Sequence, residues 1–600
     1  MPNTPRFQKW RLVCLSCYHA RTDPFGLAGL LLILLAVVCC AWPGMHAPLF
    51  TDDIHQLRES QNYLNWTGIF DTNGFGFYRP VKNALFMLAA PLQNNLWAWH
   101  WVGLGAYLAA TAGVYRIASI CLGARGPALL AAGMWALSPT CVSTAIWLSC
   151  ANISIGLVFA AALFHFHERW AKQPTLLALA ACLFCFAMAL HCYESMIAIP
   201  ALLFLRDLQQ RRLALTPQTF IRYGLYTLIA LAFLIIRYEL SAKNVGTHDF
   251  HQGFAPDTQA IHLSLSAPWF LWRHFLMWIS PFGHLELLGS YGWMRSASAA
   301  ALAFGWIFLI AVLTVSGLTW KRLPALSYGL VFFVVASLPA GNFLPCFNGP
   351  IADAYVTIPS IGLAIACATA CGCLLQQFRR RQREAKPGGL AIITLACLIL
   401  LYRLPVCGAY FRYWAGVWNN PLELMLYASE TRPFQFQPKG YVSVLLLSQG
   451  YIDQAETIAK EVIQEAPWST LAMTTLARTA NYHEDYATAE ATYRRILDTP
   501  TLDALLKGPV VIELAATIAK TPPRREEAAH LLREFIRSGN PHPNPNAIAQ
   551  LAQIYYDQGS PAKARATLAR GSALYPNHAV LEATLKSIEL KASQSLDERH

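Results

Sequence analysis

Apolar runs of about bilayer-crossing length alternate with short polar loops along the first two thirds of the chain. They fall near 25–42, 97–118, 126–145, 148–166, 174–191, 193–206, 223–237, 297–318, 323–340, 354–375 and 389–405. That makes about eleven spans, the sixth and seventh being short. The first run lacks a small-residue cleavage site and many more follow, so it reads as a retained anchor rather than a secretory signal. After about residue 412 the apolar positions thin out to one face of amphipathic helices. The pattern predicts an all-α chain: a basic N-terminal tail over 1–22, a polytopic membrane helix bundle over 23–412, and a soluble helical tail over 413–600.

The soluble tail repeats itself. QGYIDQAETIAKEVIQEAP (449–467) and HEDYATAEATYRRILDTP (483–500) align with an offset of 34 residues, which places Ala455 over Ala489 and Ile452 over Tyr486. QGSPAKARATLARGSALYP (558–576) repeats the pattern, with Gly559, Ala564 and Pro576 in the places of Gly450, Ala455 and Pro467. A degenerate unit around 525–537 lies between them. A 34-residue helix–turn–helix period, with small residues where helices cross, resembles tetratricopeptide repeats. Such an α-solenoid implies a partner protein or extended peptide in its concave face.

Charge sets the expected orientation. Charged residues make up 13% of the chain against 55% hydrophobic, and the net charge is +12. A basic excess of this kind would suit nucleic acid if it formed one patch. Instead it sits in the N-terminal tail and in alternate loops: Arg116 and Arg125, Arg169 and Lys172, Arg206 to Arg222, Lys321 and Arg322, Arg379 to Lys386. Membrane proteins keep such loops in the cytoplasm, so nucleic acid is excluded as a partner. The loop after the first span, the stretch 238–296 and everything after about 406 then lie outside. Within that stretch, PWFLWRHFLMW (268–278) is too broken for a span and suits a helix in the interface plane. The cysteines sit mainly in the apolar runs, and neither Cys14/Cys17 nor Cys182/Cys185 has the partners of a zinc site.

Acids and bases gather on the expected outer side. Asp52 and Asp53 open the first loop, followed by His55, Arg58 and Glu59; Tyr78-Arg79-Pro80 closes it. Tyr193-Glu194 sits at a span tip, Arg237 follows the seventh span, and Asp353 precedes the tenth. Carboxylates close to hydrocarbon are costly unless something uses them.

These motifs recur in order in one family. The Asp-Asp-Ile loop, Tyr78-Arg79-Pro80, Tyr193-Glu194, and Val356-Thr357-Ile358-Pro359-Ser360-Ile361-Gly362 after an Asn-Phe-Leu-Pro loop, with the repeat tail, resemble the transmembrane O-mannosyltransferases that carry tetratricopeptide repeats and their bacterial relatives. These are class C glycosyltransferases. The chain departs from them in having Tyr193-Glu194 for a Lys-Glu pair, Asp353-Ala354 for an acidic-Arg pair, and Ser138-Pro139 for His-Pro.

The resemblance implies an inverting, polyprenyl-phosphate-sugar-dependent glycosyltransferase with a hydroxyl acceptor, either protein Ser/Thr or a cell-envelope glycan or lipid. Asp52 would be the base, Asp53 its assistant or the ligand of a divalent cation such as Mg or Mn, and Glu194 a catalytic support. Arg79 and Arg237 would hold the donor phosphate, with His55, Tyr78 and Asp353 at the acceptor. The expected location is the bacterial inner membrane, with the N-terminus cytoplasmic and the tail periplasmic, the endoplasmic reticulum being the alternative. The rival expectation is a non-catalytic membrane scaffold that recruits partners through the repeats.

Overall fold

In the computed structural model the chain is helical, with no strand among the described residues. Those are residues 24–50, 52–53, 56, 66–70, 78–92, 95–213, 217–244, 260–280, 299–341, 343, 351–384, 388–431, 436–499, 504–538, 544–575 and 578–597. His55, Arg58 and Glu59, the Asn73–Phe77 end of the first loop, and Cys14 and Cys17 lie outside them.

The N-terminal region comprises α1 (Pro24–Ala41), α2 (Pro80–Ala89), α3 (Leu96–Leu122), α4 (Arg125–Ala136), α5 (Val142–Ile146), α6 (Ala151–Lys172), α7 (Leu176–Cys192), α8 (Ile199–Gln209), α9 (Pro217–Asn244), α10 (Ala260–Ile279), α11 (Ala299–Thr319), α12 (Pro324–Ser337), α13 (Asp353–Val356), α14 (Pro359–Arg383), α15 (Gly389–Leu401) and α16 (Cys407–Val417). Among the described residues seven helices are long and apolar enough to cross a membrane, or eight if the bent pair Arg125–Ala136 and Pro139–Ile146 counts as one span. The sequence predicts about eleven. The difference has local causes. α7 and α12 are apolar but have 17 and 14 residues. The 193–206 run is broken, because Glu194–Ala198 winds as a 3-10 turn before the 11-residue α8, with Pro200 in its first turn.

Proline also shapes α4 and α5, which meet at 65° across Ser138-Pro139. Proline disfavours helical geometry in the residue before it, and Ser138 is extended at ψ 130°. The bend turns the chain inward, so that α5 and the turn Leu148–Cys150 end inside the bundle. Where α12 crosses α14, Gly329 and Gly362 face each other so closely that a Cβ on either would collide with the other's carbonyl oxygen. Small residues at such crossings let helix backbones touch.

α10 holds the 268–278 segment expected in the interface plane. Trp269 and Trp278 face protein, with Arg273 and His274 buried beside them. α10 ends against the α15–α16 junction, where Pro405 widens the helix into a π turn over Tyr402–Val406. There the Arg403 guanidinium donates to Trp278 O at 2.7 Å and stacks on the Trp278 ring at 3.8 Å, while Tyr402 Oη donates to Ile279 O at 2.6 Å. The last carbonyls of α10 are thereby capped by a cation and a phenol, as a helix C-terminus favours.

Buried ions tie one end of α6, α8 and α9 together. Asp207 Oδ2 receives Arg222 Nη2 at 2.7 Å and Tyr223 Oη at 2.9 Å, and His167 Nε2 lies 3.1 Å away. Glu168 receives Arg206 Nε at 2.7 Å and Arg212 Nη1 at 2.9 Å. On α9, Arg222 and Arg237 lie 15 residues apart, about 22 Å along the axis, so Arg237 belongs to the opposite end.

The tail adds α17 (Pro421–Thr431), then four helix pairs: α18 (Phe436–Ser448) with α19 (Ile452–Glu465), α20 (Thr470–Tyr482) with α21 (Tyr486–Leu497), α22 (Ala504–Ala519) with α23 (Arg525–Arg537), and α24 (Pro545–Asp557) with α25 (Pro561–Leu574). α26 (Ala579–Asp597) closes the array. The three repeat copies and the degenerate unit each map onto the second helix of a pair. Ala455, Ala489 and Ala564 are fully buried. The first pair shares its core with the bundle: Val442, Leu446 and Ala455 belong to the same cluster as Phe50, and the Tyr441 ring lies 6.0 Å from that of Phe50.

Three of the pairs turn in the same way. The N–H groups of Tyr451, Asp485 and Ser560 donate to Leu446, Ala480 and Tyr555 carbonyls at 3.0, 2.8 and 2.9 Å. Such a cap needs a left-handed residue just before the donor. Gly450 and Gly559 supply it at φ 86° and 75°, whereas the middle pair forces Glu484 to φ 61°. Glu484→Gly should relieve about 1 kcal/mol of that strain. The expected result is slower amide hydrogen exchange in α20 and α21, by roughly fivefold. Unchanged or faster exchange there would show that the turn bears no such strain.

Candidate functional site

α1 ends at Ala41, and a 3-10 turn over Trp42–His46 carries the chain to the helical turn holding Asp52 and Asp53. The inward bend of α4–α5 brings Ser149 to meet it. Asp53 Oδ1 accepts the Ser149 backbone N–H at 2.7 Å and its Oγ at 2.5 Å. Asp53 is 3% exposed. Burial pushes its carboxyl up to about 7, with the Asp52 charge adding to the rise; the Ser149 hydrogen bonds and the Lys82 charge pull the other way. Asp52 is only half-buried.

α2 supplies the cations. Arg79 precedes it, and Lys82 lies three residues on, hence on the same face. Arg79 grips Glu194 with both arms, Nε to Oε2 at 2.9 Å and Nη2 to Oε1 at 2.7 Å, and its guanidinium lies over the Tyr193 ring at 5.2 Å. Arg237 Nη2 is 3.9 Å from the same Oε1. Glu194 opens the 3-10 turn between α7 and α8. Burial would raise its carboxyl, but Arg79 and Arg237 outweigh that and hold it at about 2. For Arg79 likewise, burial opposes the charge and Glu194 more than restores it.

Lys82 is 2% exposed. Burial and the neighbouring Arg79 charge lower its ammonium to about 8, against the opposing pull of Asp52 and Asp53. The Asn83 side chain ties α2 to the turn Trp66–Phe70, donating to Ile69 O at 2.9 Å.

The structure therefore gathers Asp52, Asp53, Arg79, Arg237 and Glu194 into one charged cluster, with Lys82, Ser149 and Tyr193 added to it. Arg79, expected at the donor phosphate, makes a two-point pair with Glu194. Glu194, expected as a catalytic support, is the anion of that pair. Tyr78, expected at the acceptor, is buried in a ring trio with His191 and Phe233, at 5.6 and 6.2 Å. Asp353 is buried on α13 two residues before Tyr355, which is within electrostatic reach of Arg79. At Asp53, where a divalent cation was expected, Oδ1 accepts from Ser149. Sequence reading passed over Lys82, although its spacing from Arg79 on a short helix was the available signal.

Comparison with known proteins bears on the tail. A tetratricopeptide-repeat family model matches residues 524–587, the stretch that holds α23, α24 and α25. The tail carries tetratricopeptide repeats. Among solved structures the crystal structure of the P58(IPK) TPR domain aligns at 13% identity, over 72% of this chain and 98% of that one, with a TM-score of 0.18. No curated protein matches the chain. Tetratricopeptide arrays present extended surfaces to other proteins, and the tail is of that general protein-interaction kind.

Proposed function

We propose that the chain is an integral-membrane glycosyltransferase that moves a sugar from a polyprenyl-phosphate donor to a hydroxyl acceptor on the outer face of a bacterial inner membrane. In this reading the N-terminus is cytoplasmic, and the tetratricopeptide tail is periplasmic and holds the acceptor protein or a partner. The observation that carries it is the carboxylate pair Asp52–Asp53 beside the buried cation Lys82, where apolar helices end. Attack on an anomeric carbon needs a base for the acceptor hydroxyl and a cation for the departing phosphate. A carboxylate of the pair takes the hydroxyl proton as the acceptor oxygen bonds to the anomeric carbon. The bond from that carbon to the phosphate oxygen breaks on the opposite face, its electron pair leaving with the phosphate. One displacement inverts the anomeric centre.

The test is to reconstitute the full chain in liposomes with a panel of polyprenyl-phosphate sugars and assay release of polyprenyl phosphate. The reading expects release with at least one sugar, faster when an acceptor is present. Absence of release across the panel, with partner proteins still captured by the tail, would replace it with the scaffold reading.

A further inference from the structure

Arg403 puts a permanent charge deep in the bundle. It is the central residue of the apolar stretch Gly389–Val417. The side chains of its neighbour Leu404 and of Ile33, midway along α1, both lie against Gly133 of α4. A charge at such depth is costly and marks a site that uses it. Arg403 is 3% exposed. Its Nη1 donates to Trp278 O and approaches Cys407 Sγ at 3.5 Å. Its Nε and Nη2 have no hydrogen-bond partner among the described residues, and neither has Nε1 of Trp278, the buried ring on which the guanidinium stacks. Three buried N–H donors and one positive charge therefore stand together, and no carboxylate among the described residues pairs with them. Buried donors without an acceptor carry a full desolvation cost.

The unpaired edge of the guanidinium names the ligand. Nε and Nη2 are the atoms with which Arg79 takes both oxygens of Glu194, and that edge matches a carboxylate. One negative charge then meets one positive charge, whereas a doubly charged phosphate would leave a net charge buried. Depth narrows the choice further. Each end of Gly389–Val417 lies about 21 Å away along the helix, so a headgroup anchored at either interface does not reach Arg403. A ligand that dissolves in the hydrocarbon does. The same turn offers room for its chain: a cavity of about 430 Å3, lined by Pro405, Val406, Ala409 and Tyr410, opens there. Pro405, Val406 and Ala409 are exposed on the outside of the bundle.

We infer that Arg403 and Trp278 bind the carboxylate of a single-chain fatty acid whose hydrocarbon chain lies in this cavity. The site uses none of the residues given to sugar transfer and stands independently of that reading.

The test measures binding of radiolabelled palmitate to the full chain in phosphatidylcholine nanodiscs, in alkaline buffer that keeps the acid ionised, with empty nanodiscs subtracted. Hexadecanol and acetate are parallel probes. Arg403→Met should bind palmitate at least about tenfold more weakly. Trp278→Phe keeps the stacked ring and removes one donor, so a loss of about threefold is expected. Ala409→Trp fills the cavity from the lipid side and should weaken palmitate about fivefold or more with Arg403 in place. These two variants read the site even if Arg403→Met fails to fold. Hexadecanol, which lacks the charge, should not distinguish Arg403→Met from wild type, and acetate should not displace palmitate. Palmitate held no better by the wild type than by empty nanodiscs would overturn the inference, as would Arg403→Met binding it like wild type. Equal loss of hexadecanol and palmitate in Arg403→Met would mark Arg403 as structural and overturn it too. Unchanged binding in Ala409→Trp, or displacement by acetate, would overturn the fatty-acid assignment.

Discussion

Asp52→Asn is expected to cut sugar transfer by about two orders of magnitude or more, the range seen when a general base is lost. The change keeps size and hydrogen-bonding capacity and removes the basicity. Donor binding should change little, because Lys82 and the apolar helices remain. Asp53 shares this chemistry. Its carboxyl is raised to about 7, mainly by burial, so transfer should fall as Asp53 takes up a proton below about pH 7. Ser149→Ala sharpens the point. It deletes the Oγ hydrogen bond that favours the Asp53 anion, so the acid limb should move to higher pH while the backbone N–H contact remains. Near-normal transfer in both Asp52→Asn and Asp53→Asn, or a pH profile that ignores Ser149→Ala, would remove the aspartate pair from the mechanism.

The membrane character and the repeat tail were legible because each rests on local pattern. A 22-residue apolar stretch such as Phe25–His46 announces itself, and so does a 34-residue period with alanines at its crossings. The site was half legible. Asp52 and Asp53 stand out beside a hydrophobic segment, but their setting depends on contacts that no local pattern records. Ser149 reaches Asp53 across 96 positions, and Arg79 reaches Glu194 across 115. Those pairings join Arg79 and Glu194 to each other. α10 shows the same dependence: its arginine and tryptophans are legible in the sequence, whereas the capping of the Trp278 and Ile279 carbonyls by Arg403 and Tyr402 is a contact over more than 120 positions that no local pattern records.

Glu194→Gln is expected to destabilise the protein rather than merely slow it. The substitution removes the charge that pairs Arg79, whose side chain is 10% exposed, and leaves a guanidinium buried against Tyr193. Breaking a fully buried pair costs about 3–5 kcal/mol; Glu194 is 22% exposed at its side chain, so about 2–3 kcal/mol is expected here. Thermal unfolding of the detergent-solubilised chain should show it as a midpoint drop of several degrees. The pH dependence has a fixed sign. The Glu194 carboxyl is held at about 2 against an ordinary 4.5, so its contribution is complete above about 4.5 and is lost as pH falls through about 2. The gap between wild type and Glu194→Gln should therefore be widest at neutral pH and close in acid. Adding Arg79→Met to Glu194→Gln should recover part of the loss, since the stranded cation goes too. If Glu194 instead served as a free catalytic carboxylate, the single variant would lose turnover at unchanged stability and Arg79→Met would rescue nothing.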